Sequence, residues 1–232
     1  MSPVLEARKL TAGYGAVPVV HELNLTVEAG EVVALLGANG AGKTTTMLTL
    51  AGELPASSGE IHLHGKLTKA PLHVRARQHL SFVPEERSVF RGLSTRDNLR
   101  VGSCDMDYAL NLFPELEKRI NVRAGLLSGG EQQMLTLARA LGRKPKVLLA
   151  DELSLGLAPL IVLRLLEAVR SAANEQQTGV VLVEQHVRKV LKFADRVYVM
   201  RRGRIVLEGE AADLINRISD IEDQYLSSTS AA

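Results

Sequence analysis

A glycine-rich segment between a mainly apolar stretch and a helix-forming stretch constrains this chain more than any other feature. The segment is Gly37-Ala-Asn-Gly-Ala-Gly-Lys-Thr44. The residues before it, Glu31–Leu36, predict a buried strand, and Thr44–Ala51 predicts a short helix that ends at Gly52. A strand, a glycine loop and a helix in this order are typical of an α/β unit in which backbone N–H groups converge on an anion. The sequence therefore predicts a phosphate-binding loop.

The spacing within this segment is that of the complete P-loop pattern, Gly-x-x-x-x-Gly-Lys-Thr. In such loops the lysine, here Lys43, contacts the β- and γ-phosphates of ATP, and the hydroxyl of Thr44 binds Mg²⁺. A glycine-rich turn with a chance Lys-Thr pair is the alternative, and the predicted strand and helix on either side argue against it. The predicted nucleotide-binding residues here are Gly37, Ala38, Asn39, Gly40, Ala41, Gly42, Lys43, Thr44 and Thr45.

Two carboxylates follow a second apolar stretch. Val147–Ala150 predicts a strand, and Asp151 and Glu152 come directly after it. In P-loop enzymes a carboxylate at this place holds Mg²⁺, which assigns that role to Asp151. Glu152 is one residue further on, where it can act as the general base toward the water that attacks the γ-phosphorus. A solvated strand end is the alternative explanation of such a pair, and the P-loop favours the catalytic one.

A pair of glycines lies in the first turn of a second predicted helix, which begins at Ser128 directly after Leu127. Ser128 and Glu131 have the spacing of a capping box, which by itself explains a helix start. Gly129 and Gly130 weaken the first turn by up to ~1 kcal/mol each relative to alanine, so their presence needs a further reason. Bare backbone at a helix N-terminus can approach an anion closely. Because one chain's P-loop already holds its own phosphates, these four residues are predicted to contact the γ-phosphate of a neighbouring subunit.

The order of the predicted elements favours an α/β fold. Short strand-like pieces separated by a turn at Gly13–Gly15 precede the P-loop, and residues from Ser94 to about Ala124 show the spacing of a small helical insertion. Helices and strands alternate after it, which is typical of parallel strands joined by crossover helices. The predicted strands are Val4–Leu10, Val19–Val27, Ile61–His64, Val147–Ala150, Val180–Val183, Arg196–Met200 and Ile205–Glu208, and the later helices are Ser128–Leu141, Pro159–Ala173, Val187–Ala194 and Ala211–Tyr225.

Composition limits the functional classes. The formal net charge of +2 and an aromatic content of 3% without tryptophan give no reason to expect a nucleic-acid partner. A single cysteine, Cys104, excludes an intrachain disulfide and favours cytosolic residence. No segment approaches the ~18 consecutive apolar residues that cross a bilayer, and the first residues lack a secretory-signal pattern. Any role at a membrane is therefore expected to depend on a partner.

These motifs, and nearly the whole chain, resemble the nucleotide-binding subunits of ABC transporters. The resemblance implies a P-loop NTPase core with a mainly parallel sheet, an N-terminal antiparallel β subdomain and a small helical subdomain. The whole chain would be one ABC ATPase domain, with its core in residues 1–93 and 125–232 and its helical part at about 94–124. It also implies a head-to-tail dimer in which two ATP molecules lie between one subunit's P-loop and the other's Leu127–Glu131. Hydrolysis in the dimer would drive transmembrane permease subunits from the cytoplasmic face of the membrane.

The resemblance assigns roles to further residues. Tyr14 resembles the aromatic residue that stacks on adenine, although a turn tyrosine is the alternative. Glu85 stands where related chains present a glutamine that contacts Mg²⁺ and the membrane subunit. The switch position that senses the γ-phosphate, a histidine in many relatives, falls on Gln185 or on the next residue, His186, with Gln185 favoured. Leu153 replaces the proline that usually follows the catalytic glutamate, which frees a backbone N–H and a dihedral angle and would loosen the position of that glutamate.

Finer features resemble the ATPases of branched-chain amino-acid uptake systems. They are the P-loop with its three threonines, Phe82–Glu86, Phe113–Leu116, Ser154–Pro159 and Val183–Gln185. Urea or amide importers and exporters of lipid or polysaccharide are the alternatives within the family, and a soluble ABC-type ATPase that acts on DNA or ribosomes is a weaker one. The second ATPase subunit of the dimer can be a sister chain or a second copy.

Overall fold

The strand that precedes the glycine loop lies inside a six-stranded sheet. The structure, a computed structural model, describes residues 3–184 and 187–215. The strands of these residues are β1 (Leu5–Tyr14), β2 (Val17–Val27), β3 (Val32–Leu36), β4 (Ala56–Leu63), β5 (Lys66–Leu67), β6 (Leu80–Val83), β7 (Val147–Asp151), β8 (Gly179–Val183), β9 (Arg196–Arg201) and β10 (Arg204–Glu210). The six-stranded sheet has the order β10-β9-β3-β8-β7-β6, in which β10 pairs antiparallel with β9 and all other neighbours are parallel. The second sheet is antiparallel, with the order β2-β1-β4-β5.

Helices cover the parallel sheet and form a separate group in the middle of the chain. The α-helices of the described residues are α1 (Lys43–Ala51), α2 (Leu72–Arg77), α3 (Thr95–Val101), α4 (Met106–Leu112), α5 (Gly129–Leu141), α6 (Pro159–Gln176), α7 (Val187–Val190) and α8 (Ala211–Leu214). Two short 3-10 helices, Pro114–Arg119 and Ala124–Leu126, lie between α4 and α5. The predicted fold class, an α/β core with a mainly parallel sheet, an antiparallel β part and a helical part, is confirmed.

Alternation along β3 divides the hydrophobic core between the two faces of the sheet. Val32, Ala34 and Leu36 belong to the cluster that includes the buried faces of α5 and α6. Val33 and Leu35 belong to the other cluster, which includes α1 and the antiparallel sheet. Since every residue of β3 is fully buried, one apolar strand joins both halves of the core and fixes the loop that follows it.

Several predicted boundaries were wrong. β1 continues through Tyr14, so the hairpin turn lies at Gly15–Ala16 rather than at Gly13–Gly15. The helix predicted over Val187–Ala194 ends at Val190, since turns follow it. α2 and the edge strand β6 were not predicted, because their short segments carry too few apolar residues for a clear period. The predicted closing helix Ala211–Tyr225 lies partly outside the described residues.

Candidate active site

The glycine loop connects the carboxyl end of β3 to the first residue of α1. A Cβ atom on Gly37 would lie 2.4 Å from the carbonyl oxygen of Met200, so no other residue fits there without a shift of the backbone. Gly42 caps α1 with a φ of 107°, which side chains rarely allow. The tip of the hairpin between β9 and β10 supports the loop, because the N–H of Gly203 donates to the carbonyl of Ala41 at 2.8 Å. These contacts hold the loop in a fixed shape ahead of any ligand.

Lys43 lies inside this loop and is 5% exposed. Its Nζ donates to the carbonyl oxygens of Gly37 at 2.8 Å and Ala38 at 3.2 Å, and it is 4.0 Å from Oε1 of Glu152. Burial lowers the pKa of Lys43, while the carboxylates of Glu152, Asp151 and Glu85 act in the opposite direction. The ammonium group therefore lies within the loop, where it donates to loop carbonyls beside the Glu152 carboxylate.

Asp151 ends β7 and is 1% exposed. Burial raises its pKa to about 6, and a hydrogen bond from the Thr44 side chain acts in the opposite direction. Its Oδ1 atom is buried and, among the described residues, has no hydrogen-bond partner. A buried carboxylate with a spare oxygen, next to a threonine hydroxyl, is the type of oxygen ligand set that Mg²⁺ prefers. The residues present therefore fit the predicted metal.

This carboxylate makes the stability of the ligand-free protein depend on pH. Because the pKa is raised in the folded state, Asp151 stabilises the fold when it is protonated and loses that contribution as the pH rises through about 6. Asp151→Asn keeps a hydrogen-bond acceptor for Thr44 without the charge. We expect it to raise the free energy of unfolding at pH 8 by up to about 3 kcal/mol, and by about half as much at pH 5. Urea unfolding in a chelator at both pH values measures this difference, and an equal gain at the two would contradict it.

Glu152 occupies a tight turn that begins directly after β7. Its φ is 46°, a region that few non-glycine residues occupy. The N–H of Glu152 donates to the carbonyl of Val183 at 2.9 Å, and the next side chain, Leu153, is 1% exposed in the core. A proline at position 153 would disfavour this conformation of the preceding residue, so the leucine is compatible with the observed turn.

Glu152 and the P-loop line one cleft of about 380 Å³. Among the residues that the structure describes, those that line the cleft are Val19, Asn39, Gly40, Gly42, Lys43, Thr44, Thr45, Glu85, Glu152 and Leu155. The structure thus brings together three segments that lie far apart in the sequence: the P-loop with its lysine and threonine, Glu85, and the acidic turn. The predicted adenine-stacking residue Tyr14 lies at the end of β1 and is 55% exposed. Gln185 and His186 lie outside the described residues.

The predicted signature segment, residues Leu127–Glu131, forms the capped start of α5. The Ser128 hydroxyl accepts from the N–H of Glu131 at 3.3 Å, and the Ser128 N–H donates to the Glu131 carboxylate at 2.8 Å. A Cβ on Gly129 would lie 2.9 Å from both terminal nitrogens of Arg87. None of the described residues that line the P-loop cleft belongs to this segment. Its contact with a nucleotide therefore remains a prediction that requires a second subunit.

A buried glutamate beside the acidic turn was not predicted from the sequence. Glu184 is 1% exposed and follows β8, and its carboxylate accepts a hydrogen bond from the N–H of Ser154 at 3.0 Å. The signal in the sequence was a charged residue directly after the fully apolar stretch Val180–Val183, where a buried carboxylate requires a partner. Val19 and Leu155 were also not predicted to line the cleft.

A comparison with protein families separates this arrangement from other P-loop enzymes. Residues 20–154, more than half of the chain, match the family model described as ABC transporter. The chain belongs to the ABC transporter family. As the nucleotide-binding component of that family, this ABC subunit is an ATPase. Within its described residues no helix combines the length and the apolar character needed to span a membrane.

Relatives of this ABC subunit match it over nearly their whole length. It is 42% identical to the high-affinity branched-chain amino acid transport ATP-binding protein BraG of Pseudomonas aeruginosa, over 96% of this chain and 99% of that protein. It is 31% identical to the probable branched-chain amino acid transport ATP-binding protein LivF of Archaeoglobus fulgidus, over 91% and 94%. It is 34% identical to the lipopolysaccharide export system ATP-binding protein LptB of Escherichia coli, over 91% and 92%.

Solved structures agree with the fold of this ABC subunit. The ATP-binding subunit of an ABC transporter superposes with a TM-score of 0.81 at 26% identity, covering 97% of this chain and 99% of that one. A dimeric ATP-binding cassette in a post-hydrolysis state, bound to ADP and Pi, superposes with a TM-score of 0.79 over 89% and 98%, at 21% identity. Because its sequence identity is only 21%, this second structure supports the fold and nothing further.

Proposed function

We propose that this chain hydrolyses ATP to drive the uptake of branched-chain or related amino acids through a membrane permease. The observation that carries the catalytic part is one cleft that contains Lys43, Thr44 and Glu152, with the buried carboxylate of Asp151 hydrogen-bonded to Thr44. The names of BraG and LivF support the choice of solute. The solute itself is selected by other subunits, so this part of the proposal requires its own test.

The chain's own residues account for binding and for proton transfer. Lys43 holds its ammonium group beside two loop carbonyls, where it can exchange those contacts for the β- and γ-phosphate oxygens of ATP. The carboxylate of Glu152, 4.0 Å from that nitrogen, accepts the proton of the attacking water. Thr44 and Asp151, with Glu85 at the rim of the cleft, would hold Mg²⁺. When bound, the ion neutralises charge that develops on the phosphates.

The proposal includes a second ATPase subunit. Residues Ser128–Glu131 would approach the γ-phosphate held by the other subunit's P-loop, with the backbone of Gly129 and Gly130 at the helix N-terminus as the donors. A head-to-tail pair places one such segment over each P-loop. Gln185, or His186 beside it, would sense the γ-phosphate. Binding then closes the pair and hydrolysis opens it, which moves the permease from the cytoplasmic face of the membrane.

Reconstitution tests the solute. The tagged chain, isolated with the membrane subunits that co-purify with it and placed in proteoliposomes with ATP and a solute-binding protein, is expected to accumulate labelled leucine, isoleucine or valine. The matched control contains the Glu152→Gln variant in the same complex. Accumulation of urea or amides instead would support the alternative importer. Outward movement of lipopolysaccharide precursors would favour the export class, to which the likeness to LptB points.

A further inference from the structure

A buried glutamate connects two loops at the edge of the active site. Glu184, which directly follows β8, is 1% exposed. Its carboxylate accepts one hydrogen bond from the N–H of Ser154 at 3.0 Å and another from the hydroxyl of Ser154. Ser154 is itself 6% exposed, so these charge-assisted bonds lie away from water, where they are strong and costly to lose. Glu184 therefore fixes both donors of Ser154.

The same strand holds the other end of the turn that carries Glu152. The N–H of Glu152 donates to the carbonyl of Val183, the residue immediately before Glu184. Asp151 pairs with Val183 in the parallel register of β7 and β8. Val183, the last residue of β8, and Glu184 directly after it thus fix residues 152 and 154, and Leu153 between them is buried in the core.

The backbone of Glu152 needs such support. Its φ of 46° is an unfavourable conformation that persists only where surrounding contacts impose it. Leucine at position 153 leaves the backbone there freer than a proline would. Hydrogen bonds to Val183 and Glu184 therefore impose the conformation of the turn.

We propose that Glu184 is a positioning residue, which acts through Ser154 to hold the Glu152 carboxylate in line with the water that attacks ATP. The inference rests on the proposed function, because it assumes that Glu152 is the general base. In this role Glu184 acts on the turn and not directly on ATP. Its contribution lies in the geometry of the turn, where a displacement of about 1 Å can lower a rate by roughly 100-fold.

Three variants separate positioning from a general loss of packing. Ser154→Ala removes one of the two hydrogen bonds between Ser154 and Glu184, and we expect it to lower kcat by roughly 10-fold while the Kd for ATP changes less than about twofold. Glu184→Leu removes both and is expected to lower kcat by roughly 100-fold. Glu184→Gln is the matched control. Its amide oxygen accepts the Ser154 N–H and its amide N–H donates to the Ser154 hydroxyl oxygen, so turnover should stay within about threefold. Wild-type turnover in Ser154→Ala would overturn the proposal.

A double-variant cycle tests whether the effect passes through Glu152. In single-turnover hydrolysis with the full chain in excess, Ser154→Ala combined with Glu152→Gln should be no slower than Glu152→Gln alone, within about twofold. A further roughly 10-fold loss in the combined variant would mean that Ser154 acts independently of Glu152, which contradicts the proposal. Thermal unfolding of each variant shows that the protein is folded.

The same cycle distinguishes failure of this inference from failure of the proposed function. If Glu152→Gln alone turns over ATP at nearly the wild-type rate, the assignment of the general base is wrong. If Glu152→Gln is slow and Ser154→Ala is as fast as wild type, the general base stands and the positioning role of Glu184 is wrong.

Discussion

Glu152→Gln is expected to lower the rate of ATP hydrolysis by roughly 10²- to 10⁴-fold while the protein still binds ATP. Glutamine fills the same space at the end of β7 but cannot accept the proton of the attacking water. Lys43, Thr44 and Asp151 stay in place, so the contacts proposed for the phosphates and the metal are retained. Phosphate release measured under saturating Mg-ATP gives the rate, and equilibrium titration with ATP gives the affinity.

Glu117→Gln is the matched control for this variant. Glu117 is exposed, lies in the 3-10 helix Pro114–Arg119 and is not among the residues that line the P-loop cleft. The same change of charge there should leave hydrolysis within about twofold, as for most surface substitutions. Near-normal turnover in Glu152→Gln would mean that another group accepts the proton.

Because Glu152→Gln should hydrolyse ATP slowly, this variant also tests whether a second copy of the chain completes the dimer. If a second copy supplies Ser128–Glu131, Glu152→Gln should be a monomer without nucleotide and a dimer with Mg-ATP by light scattering, because the bound ATP is not consumed. A monomer in both conditions, with ATP binding demonstrated, would show that the second half comes from a sister chain or that the membrane subunits bring the halves together.

The residues of the site that could be predicted from the sequence are those that a short contiguous pattern identifies. The P-loop combines a glycine spacing, a preceding apolar strand and a following helix, and β3, the loop and α1 are found there. Asp151 and Glu152 were placed in the same way, by an apolar strand that ends in two carboxylates. The capping box at Ser128 is local as well, and its two hydrogen bonds are present.

The parts that were missed depend on contacts between distant segments. The bond between Glu184 and Ser154 spans thirty residues, and it forms because β7 and β8 are neighbours in the sheet. The edge strand β6 has four residues, of which Ser81 is polar, so its pattern was too short to indicate a strand. The approach of Arg87 to Gly129 likewise depends on the packing of α5 beside a loop, which no spacing in the sequence specifies.

Lys43→Ala is expected to weaken ATP binding by roughly 100-fold or more, because it removes charge-assisted hydrogen bonds between a buried ammonium group and the phosphates. The ammonium group is 5% exposed and faces three carboxylates, those of Glu152, Asp151 and Glu85. Its removal leaves these negative charges without their cation, so an incoming triphosphate meets repulsion as well as a missing donor. Calorimetric titration with ATP in the presence of Mg²⁺ measures the change, and a retained micromolar Kd would contradict the role of Lys43.

Lys118→Ala is a suitable control, because that lysine is exposed and distant in sequence from the loop. Ligand-induced stabilisation gives a second readout. Saturating Mg-ATP should raise the unfolding temperature of wild type and of Lys118→Ala by the same amount, and that of Lys43→Ala hardly at all, since the gain depends on the ratio of ligand concentration to Kd. Glu152→Gln should show the full shift. The two active-site variants therefore separate binding from hydrolysis: Lys43 is needed for the first, and Glu152 only for the second.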